Sequence, residues 1–420
     1  MTKIYIETYG CSLNQSDSEL MAGLLKEKGF FEITEDIEEA DVIILNSCIV
    51  KKPTENNFYN RLKELEKLYP YKKKIIAGCI PQADSSKIKK YPLIGTYQLS
   101  HIVEVVEETI NDNVIHLIGK ENEKRLELPK IRRNSVIGIV PILAGCLGKC
   151  SYCIVPKARG KLKSYPAEEI INEISEAVKD GCKEIWITSQ DNGAYGKDIN
   201  LNLIRLLKKI IELPYKFKLR IGMLNPNHVL KFLPELIEIY KDEKVFKFLH
   251  IPVQSGNNEI LKLMNRKYKV EDFKEIIKQF RKEIPEITIS TDIIAGFPTE
   301  TEDQFKDSLN LIKVVRPDIV NISRFWPRKY TKAAKMKQIH GGITKDRSRV
   351  LTSIHQYISF ENNKKWRNWQ GIILIDEEGK DNTWIGRNYT YKPVIVKGDY
   401  KLGQEINVKV KDITSIDLRV

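Results

Sequence analysis

Apolar and amphipathic runs alternate through the first 120 residues. KIYIETYG, DVIILNS and KKIIAG read as strands, the second apolar enough to be buried on both faces. Between them, DSELMAGLLKEKG and NNFYNRLKELEKLY carry apolar residues at helical spacing, the first stopping at Gly29. Strand and helix in alternation predict an open parallel α/β sheet over 1–120. The polar, charged stretch GKENEKRLELPKIRRN then reads as a linker, placed at 121–134. From 135 six further strand-like runs follow: SVIGIVPIL, EIWITSQ, FKLRIGML, FKFLHIPV, ITISTDIIAG and DIVNISRFW. Helical patterns follow most of them. PAEEIINEISEAVKDG has Pro166 and two acids at its start and Gly181 at its end, as helix-end chemistry prefers. Six βα units predict a partial (β/α)6 barrel within 135–360, with its active site at the carboxyl ends of the strands. Over 361–420 GIILIDE, TWIGRNYTYKPVIVK, GQEINVKVK and SIDLRV are short strands with Gly-containing turns, predicting a small antiparallel β-barrel. The fold class is α/β in three parts, without a solenoid repeat.

The cysteines turn this architecture toward chemistry. Cys11, Cys48 and Cys79 each stand directly after one of the three N-terminal strands, 37 and 31 residues apart. Ligands of open α/β sheets collect at the carboxyl ends of strands, so thiols distant in sequence can converge there. Cys146, Cys150 and Cys153 form a Cys-x3-Cys-x2-Cys triplet in AGCLGKCSYCIVPKARG, after the first barrel strand. Zinc ribbons repeat Cys-x2-Cys pairs instead. Three neighbouring thiolates can hold three irons of a cubane and leave the fourth without a protein ligand. Since clusters are normally held fully by cysteine, a missing fourth ligand suggests a site open for chemistry. Cys182 lies between a helix end and a buried strand and reads as structural, and the six histidines show no ligand spacing.

The chain begins MTKIYIE without an apolar leader, and no run reaches the roughly 18 apolar residues a membrane span needs. A cytoplasmic protein with no membrane partner is expected. Seven cysteines in a reducing compartment suit metal or catalytic use better than disulfides. Of the net charge of +13, residues 324–369 carry +10, from twelve Lys/Arg against Asp346 and Glu361. Aromatics interleave with them, which suits a phosphate backbone and unstacked bases. Arg324, Trp326, Arg328, Lys329, Lys332 and Lys335 are the candidates for RNA contact.

Two cysteine triads, a partial barrel and a terminal β-barrel resemble, across essentially the whole chain, the radical S-adenosylmethionine (SAM) methylthiotransferases. That family has an N-terminal methylthiotransferase domain, a radical SAM domain and an RNA-binding TRAM domain, with an aromatic residue (here Tyr152) before the last cysteine of the triplet. LHIPVQSG, TDIIAGFPTE and TSQDNGAYG look most like the archaeal and eukaryotic threonylcarbamoyladenosine tRNA methylthiotransferases. The resemblance implies that Cys146, Cys150 and Cys153 hold a [4Fe–4S] cluster whose open iron is chelated by SAM. It implies that Cys11, Cys48 and Cys79 hold a second, auxiliary [4Fe–4S] cluster serving sulfur insertion. It further implies methylthio transfer to carbon 2 of a tRNA adenosine in the anticodon loop, with electrons from a reductant protein.

Polar residues at the barrel-strand ends are candidates for SAM: Gln190 and Asp191 after the second strand, Arg220 on the third and Gln254 after the fourth. Asp292 on the fifth strand and Gly296 in the GFPTE turn complete the set. One stretch departs from the family. Where relatives commonly read proline-arginine-proline-glycine-threonine, this chain has WPRKYTKAAKMKQ, whose lysines suit tRNA phosphates. Alternatives within the class are isopentenyladenosine tRNA or a ribosomal-protein aspartate as substrate; outside it, a non-catalytic Fe–S RNA-binding protein.

Overall fold

The computed structural model describes residues 1–119 and 124–420; Glu121, Asn122 and Glu123 of the expected linker lie outside the described residues. The N-terminal strands are β1 (Thr2–Thr8), β2 (Phe31–Ile33), β3 (Val42–Ser47), β4 (Lys73–Gly78), β5 (Leu93–Gly95) and β6 (His116–Leu117). They form one sheet in the order β2-β1-β3-β4-β5-β6, every pair parallel. Four helices cover it: α1 (Ser12–Glu27), α2 (Lys52–Leu68), α3 (Cys79–Ala83) and α4 (Ile102–Ile110). Alternation on β3 shows why both faces are covered. Ile43 and Leu45 pack with Phe58 and Leu62 of α2, whereas Val42 and Ile44 pack with Met21 of α1 and Val105 of α4. The strand order reverses beside β1, so the switch point where open α/β sheets bind ligands lies between β1 and β3. Three of these strands are legible in the sequence; β2, β5 and β6 are too short to show a period.

Glu19 of α1 is only 5% exposed and accepts from Arg133 N–H at 3.3 Å. Burial, outweighing that hydrogen bond, pushes its carboxyl from the ordinary 4.5 up to about 7. Between these values the folded protein keeps a proton that the unfolded chain has released, so stability falls as pH rises through this window. Glu19→Gln is expected to remove up to about 3 kcal/mol of that fall, read from denaturant midpoints of the apoprotein at about pH 5 and 7.5. An unchanged pH slope would contradict it.

In the centre, β7 (Ile137–Pro141) is followed by a two-stranded antiparallel ribbon, β8 (Leu143–Ala144) with β9 (Lys163–Ser164), that frames the Cys146–Cys153 loop. Then come β10 (Glu184–Thr188), β11 (Lys218–Ile221), β12 (Phe248–His250), β13 (Thr288–Ala295) and β14 (Ile319–Arg324). They pair in parallel as β7-β10-β11 and β12-β13-β14, joined by a Leu219↔Val245 bridge. The six expected strands are all present. Ile185, Ile187, Leu219, Ile221, Leu249 and Ile289 enter one large core with the surrounding helices. By period-2 alternation Trp186, Arg220, His250, Asp292 and Asn321 take the opposite, inward face.

A 23-residue helix, Gly341–Asn363, leads to the C-terminal sheet. Its strands are β15 (Gln370–Glu378), β16 (Thr383–Arg387), β17 (Pro393–Lys397), β18 (Glu405–Lys409), β19 (Asp412–Ile413) and β20 (Leu418–Arg419), in the order β18-β15-β16-β17-β20-β19. The sheet differs from the expected antiparallel barrel: it is mixed, because β17 and β20 pair in parallel. The chain crosses from β17 to the far side of β15 as β18, and a turn capped by the Thr414 hydroxyl then brings β20 back alongside β17. TWIGRNYTYKPVIVK splits into β16 and β17 at a turn where the Asn388 side-chain carbonyl accepts from Thr390 N–H (3.1 Å) and Lys392 N–H (2.9 Å). A buried Lys392–Asp318 ion pair of 2.9 Å fastens this turn to the barrel. No helix among the described residues is long and apolar enough to cross a membrane.

Candidate functional site

The N-terminal cysteines meet at the switch point. Cys11 precedes α1, Cys48 follows β3 and Cys79 opens α3 directly after β4. Gly10, at φ 124°, makes the turn possible; a Cβ there would lie 2.7 Å from the Cys48 Cβ. Asn14, fully buried in the first turn of α1, donates to Ser47 O at 3.0 Å. Its Oδ1 lies 3.4 Å from the Cys11 Sγ and 4.0 Å from the Cys79 Sγ, so both sulfurs border one oxygen. Burial pushes the Cys79 thiol up to about 12 and raises Cys48 as well, so a metal must displace their protons to bind.

Cys146, Cys150 and Cys153 line the barrel mouth. Gly148 N–H donates to the Cys146 Sγ at 3.1 Å, and a Cβ on Gly148 would sit 3.1 Å from that sulfur and 3.7 Å from the Cys150 Sγ. Only glycine leaves this loop open between its sulfurs. Residues 263–266 hold the loop from below. Ser151 N–H donates to Met264 O (3.0 Å), Asn265 Nδ2 to Lys149 O (2.7 Å) and Arg266 Nη1 to the Cys150 Sγ (3.3 Å). Burial pushes Cys153 up to about 12 and Cys146 up to about 11. All seven cysteines are free thiols. Among the described residues no three His, Cys, Asp or Glu are gathered around a single ion. Sulfur-only donor sets match the ligand chemistry of iron–sulfur clusters, which cysteine thiolates hold.

The expected SAM residues separate into two groups. Asp191 is buried at the mouth; its Oδ1 accepts from Gly193 and Asn225 N–H, each at 3.1 Å, and burial pushes its carboxyl up to about 6. Its neighbour His228, 3.4 Å away, is lowered to about 4 by burial and by Lys197. Gln190 Oε1 is buried without a partner among the described residues, leaving it able to pair with a ligand. Gln254, at φ 74°, bridges to Ile293, which aims this segment along β13. Asp292 accepts from Asn321 Nδ2 at 2.7 Å and lies 3.1 Å from His250 Nε2. Gly296, at φ 73°, donates to Glu300 Oε2 at 3.1 Å, and a Cβ would meet the Thr344 side chain at 2.6 Å. Arg220 stands apart. Its guanidinium stacks 4.6 Å from the Trp186 ring, 5.3 Å from Phe248 and 5.0 Å from Tyr391 of the C-terminal sheet, drawn toward the amino ends of the strands.

The two cysteine sites face each other across one domain contact. Ser12, beside Cys11, hydrogen-bonds Thr188 at the end of β10 (2.7 Å). α5 (Val155–Arg159), directly after the triplet, packs on α3, and Ala158 O accepts from the Thr96 hydroxyl at 2.6 Å. Arg159 reaches into the N-terminal site, where its Nη2 donates to Asn14 Oδ1 at 3.1 Å. Asn14, Asp17, Arg159, His250 and Arg266 escape sequence reasoning. Only Asn14, one helical turn after Cys11, carries a positional hint.

The basic segment divides similarly. Lys332 and Lys335 are exposed, Lys329 is exposed beside Asp84 (3.3 Å), and Arg324 stacks 5.2 Å from the partly exposed Trp326 ring. Arg328 does not belong to this surface. It is 8% exposed, pairs with Glu55 of α2 and donates to Val50 O at 2.8 Å, clamping the N-terminal sheet to the barrel. Arg347 is likewise buried, on Glu300 at 2.8 Å.

The chain matches the models of three families: the uncharacterized protein family UPF0004 over residues 3–96, the radical SAM superfamily over 140–312 and the TRAM domain over 372–419. It is 45% identical to a probable threonylcarbamoyladenosine tRNA methylthiotransferase of Pyrococcus horikoshii, covering 99% of this chain and 98% of that one. It is 40% identical to the human threonylcarbamoyladenosine tRNA methylthiotransferase, covering 97% of this chain and 72% of that one. Among solved structures, the radical SAM methyltransferase TsrM of Kitasatospora setae shares the fold, with a TM-score of 0.58 at 12% identity over 80% of this chain and 77% of that one.

Proposed function

The chain belongs to the threonylcarbamoyladenosine tRNA methylthiotransferase family, and from that premise we propose that it inserts a methylthio group at carbon 2 of N6-threonylcarbamoyladenosine, next to the anticodon of tRNA. The observation that carries this reading is the meeting of two three-cysteine sites across one domain contact, with Ser12 on Thr188 and α3 on α5. Residues 1–120 are assigned to the methylthiotransferase domain, 135–360 to the radical SAM domain with its basic extension and 361–420 to the TRAM domain, with 121–134 as the linker.

In this reading each site holds a [4Fe–4S] cluster, one on Cys146, Cys150 and Cys153 and an auxiliary one on Cys11, Cys48 and Cys79. Bound there with S-adenosylmethionine and fed electrons by a reductant protein, the clusters supply radical and sulfur-transfer chemistry that side chains cannot. The chain's own groups bind, orient and exclude water. Arg266 donates to the Cys150 Sγ (3.3 Å) and so orients that side chain in the loop. Gln190, Asp191, Gln254, Asp292 and Gly296 surround the mouth where S-adenosylmethionine would lie, and Asp292, fixed by His250 and Asn321, presents a carboxylate on the inward face. Arg220 serves the barrel interior, stacked against Tyr391 of the TRAM domain.

Mass spectrometry of tRNA nucleosides from a deletion strain tests this reading. The methylthio derivative of threonylcarbamoyladenosine is expected to vanish and to return with the wild-type gene. Its persistence, or loss of a methylthio group from isopentenyladenosine or a ribosomal protein instead, would contradict it.

Exposed Lys329, Lys332 and Lys335, with Arg324 and Trp326, form the surface for the anticodon arm. Changing the three lysines to glutamine is expected to weaken tRNA binding and to reduce the slope of log affinity against log salt by about two, since a protein that neutralises fewer phosphates releases fewer counterions. An unchanged slope would remove this face from the interface.

A further inference from the structure

Resting on the proposed cluster at Cys11, Cys48 and Cys79, we propose that Arg159 is a positioning residue for that cluster, supplied by the opposite domain, and that its charge raises the cluster's reduction potential. Arg159 ends the helix that starts two residues after Cys153, yet its side chain, 5% exposed, lies in the N-terminal site. Nη2 donates to Asn14 Oδ1 at 3.1 Å, the same oxygen that borders the Cys11 and Cys79 sulfurs. It also pairs with Asp17 Oδ2 at 2.6 Å. Nη1 is buried without a partner among the described residues.

Charge counting gives the consequence. Asp17, 1% exposed, faces two guanidiniums, since Arg125 pairs with its other oxygen. One carboxylate against two cations leaves one positive charge, shielded from water and held on the oxygen that borders the Cys11 and Cys79 sulfurs. A buried donor with no partner is costly, and an anionic cluster is the partner its position allows. Reduction adds one negative charge to the cluster, so a neighbouring cation stabilises the reduced state; net charge and hydrogen bonds are among the terms that set such potentials. Arg266 stands in the same relation to Cys150, but from its own domain. Arg159 sits on the continuation of the Cys146–Cys153 loop, so it ties the position of one site to the charge of the other.

The test uses full-length protein with Cys146, Cys150 and Cys153 changed to alanine, leaving the N-terminal site alone to be reconstituted and titrated by electron paramagnetic resonance. If this parent binds no iron, the underlying cluster reading fails, not the role of Arg159. With the cluster present, Arg159→Met is expected to lower its potential and Arg159→Lys to restore part of the shift. Loading by Arg159→Lys but not by Arg159→Met also supports the proposal, whereas failure of both with apoproteins that melt like the parent overturns it, since lysine keeps the charge. Wild-type potentials in both variants overturn it. So does failure of both with apoproteins that melt well below the parent, since Arg159 would then be purely architectural.

Discussion

Alanine at Cys146, Cys150 and Cys153 together is expected to abolish 5′-deoxyadenosine formation from S-adenosylmethionine under reducing conditions, and with it all methylthio product. The loop has no other sulfur to offer: Cys182, whose thiol burial pushes up to about 11, lies in the barrel core with Ile174 and Ile185. The fold should survive, because all three residues are only partly buried and the loop is held by Met264, Asn265 and Ser151. Chromatographic detection of 5′-deoxyadenosine reads the result. Cleavage at the wild-type rate would place the reactive cluster elsewhere.

The complementary variant separates two functions within one chain. Changing Cys11, Cys48 and Cys79 to alanine is expected to leave S-adenosylmethionine cleavage intact while methylthio product falls below detection. The two sites share a domain contact but no cysteine, and Arg266, not Arg159, touches a triplet sulfur, that of Cys150. The same assay with added tRNA, followed by nucleoside mass spectrometry, distinguishes the outcomes. Full methylthiolation by this variant would deny the N-terminal site any part in sulfur insertion; loss of cleavage as well would mean that the sites are inseparable.

How far the sequence speaks depends on the length of the signal. The six barrel strands each stand in an apolar run bounded by turns, and all are where their pattern puts them. Of the three N-terminal strands that carry cysteines at their ends, β3 and β4 are equally legible, because burial on both faces leaves them largely apolar. β1, partly buried along most of its length, is read from its Ile4-Tyr5-Ile6 centre. β2, β5 and β6 have two or three residues each and no period to detect. At the C-terminus the hairpin at Asn388 and the parallel β17–β20 pair depend on how the chain crosses the sheet, which strand periodicity does not encode.

For the site, cysteine spacing carried the six thiols, since a Cys-x3-Cys-x2-Cys loop and strand-end positions are local features. Charged residues are read less well. Arg328 lies in the most basic stretch of the chain yet is turned inward onto Glu55, and Arg220 is claimed by an aromatic box completed by Tyr391, 171 positions later. Arg159 has no spacing signal at all; its partners Asn14 and Asp17 come from the first helix. Long side chains choose partners in space, so composition alone misplaces them.

Iron and acid-labile sulfide counting after anaerobic reconstitution tests the central claim most directly, comparing the wild type with each triple-alanine variant. Two four-iron clusters on separate triads predict about eight irons in the wild type and about four in each variant. About four in the wild type, or a full complement surviving removal of either triad, would contradict the account.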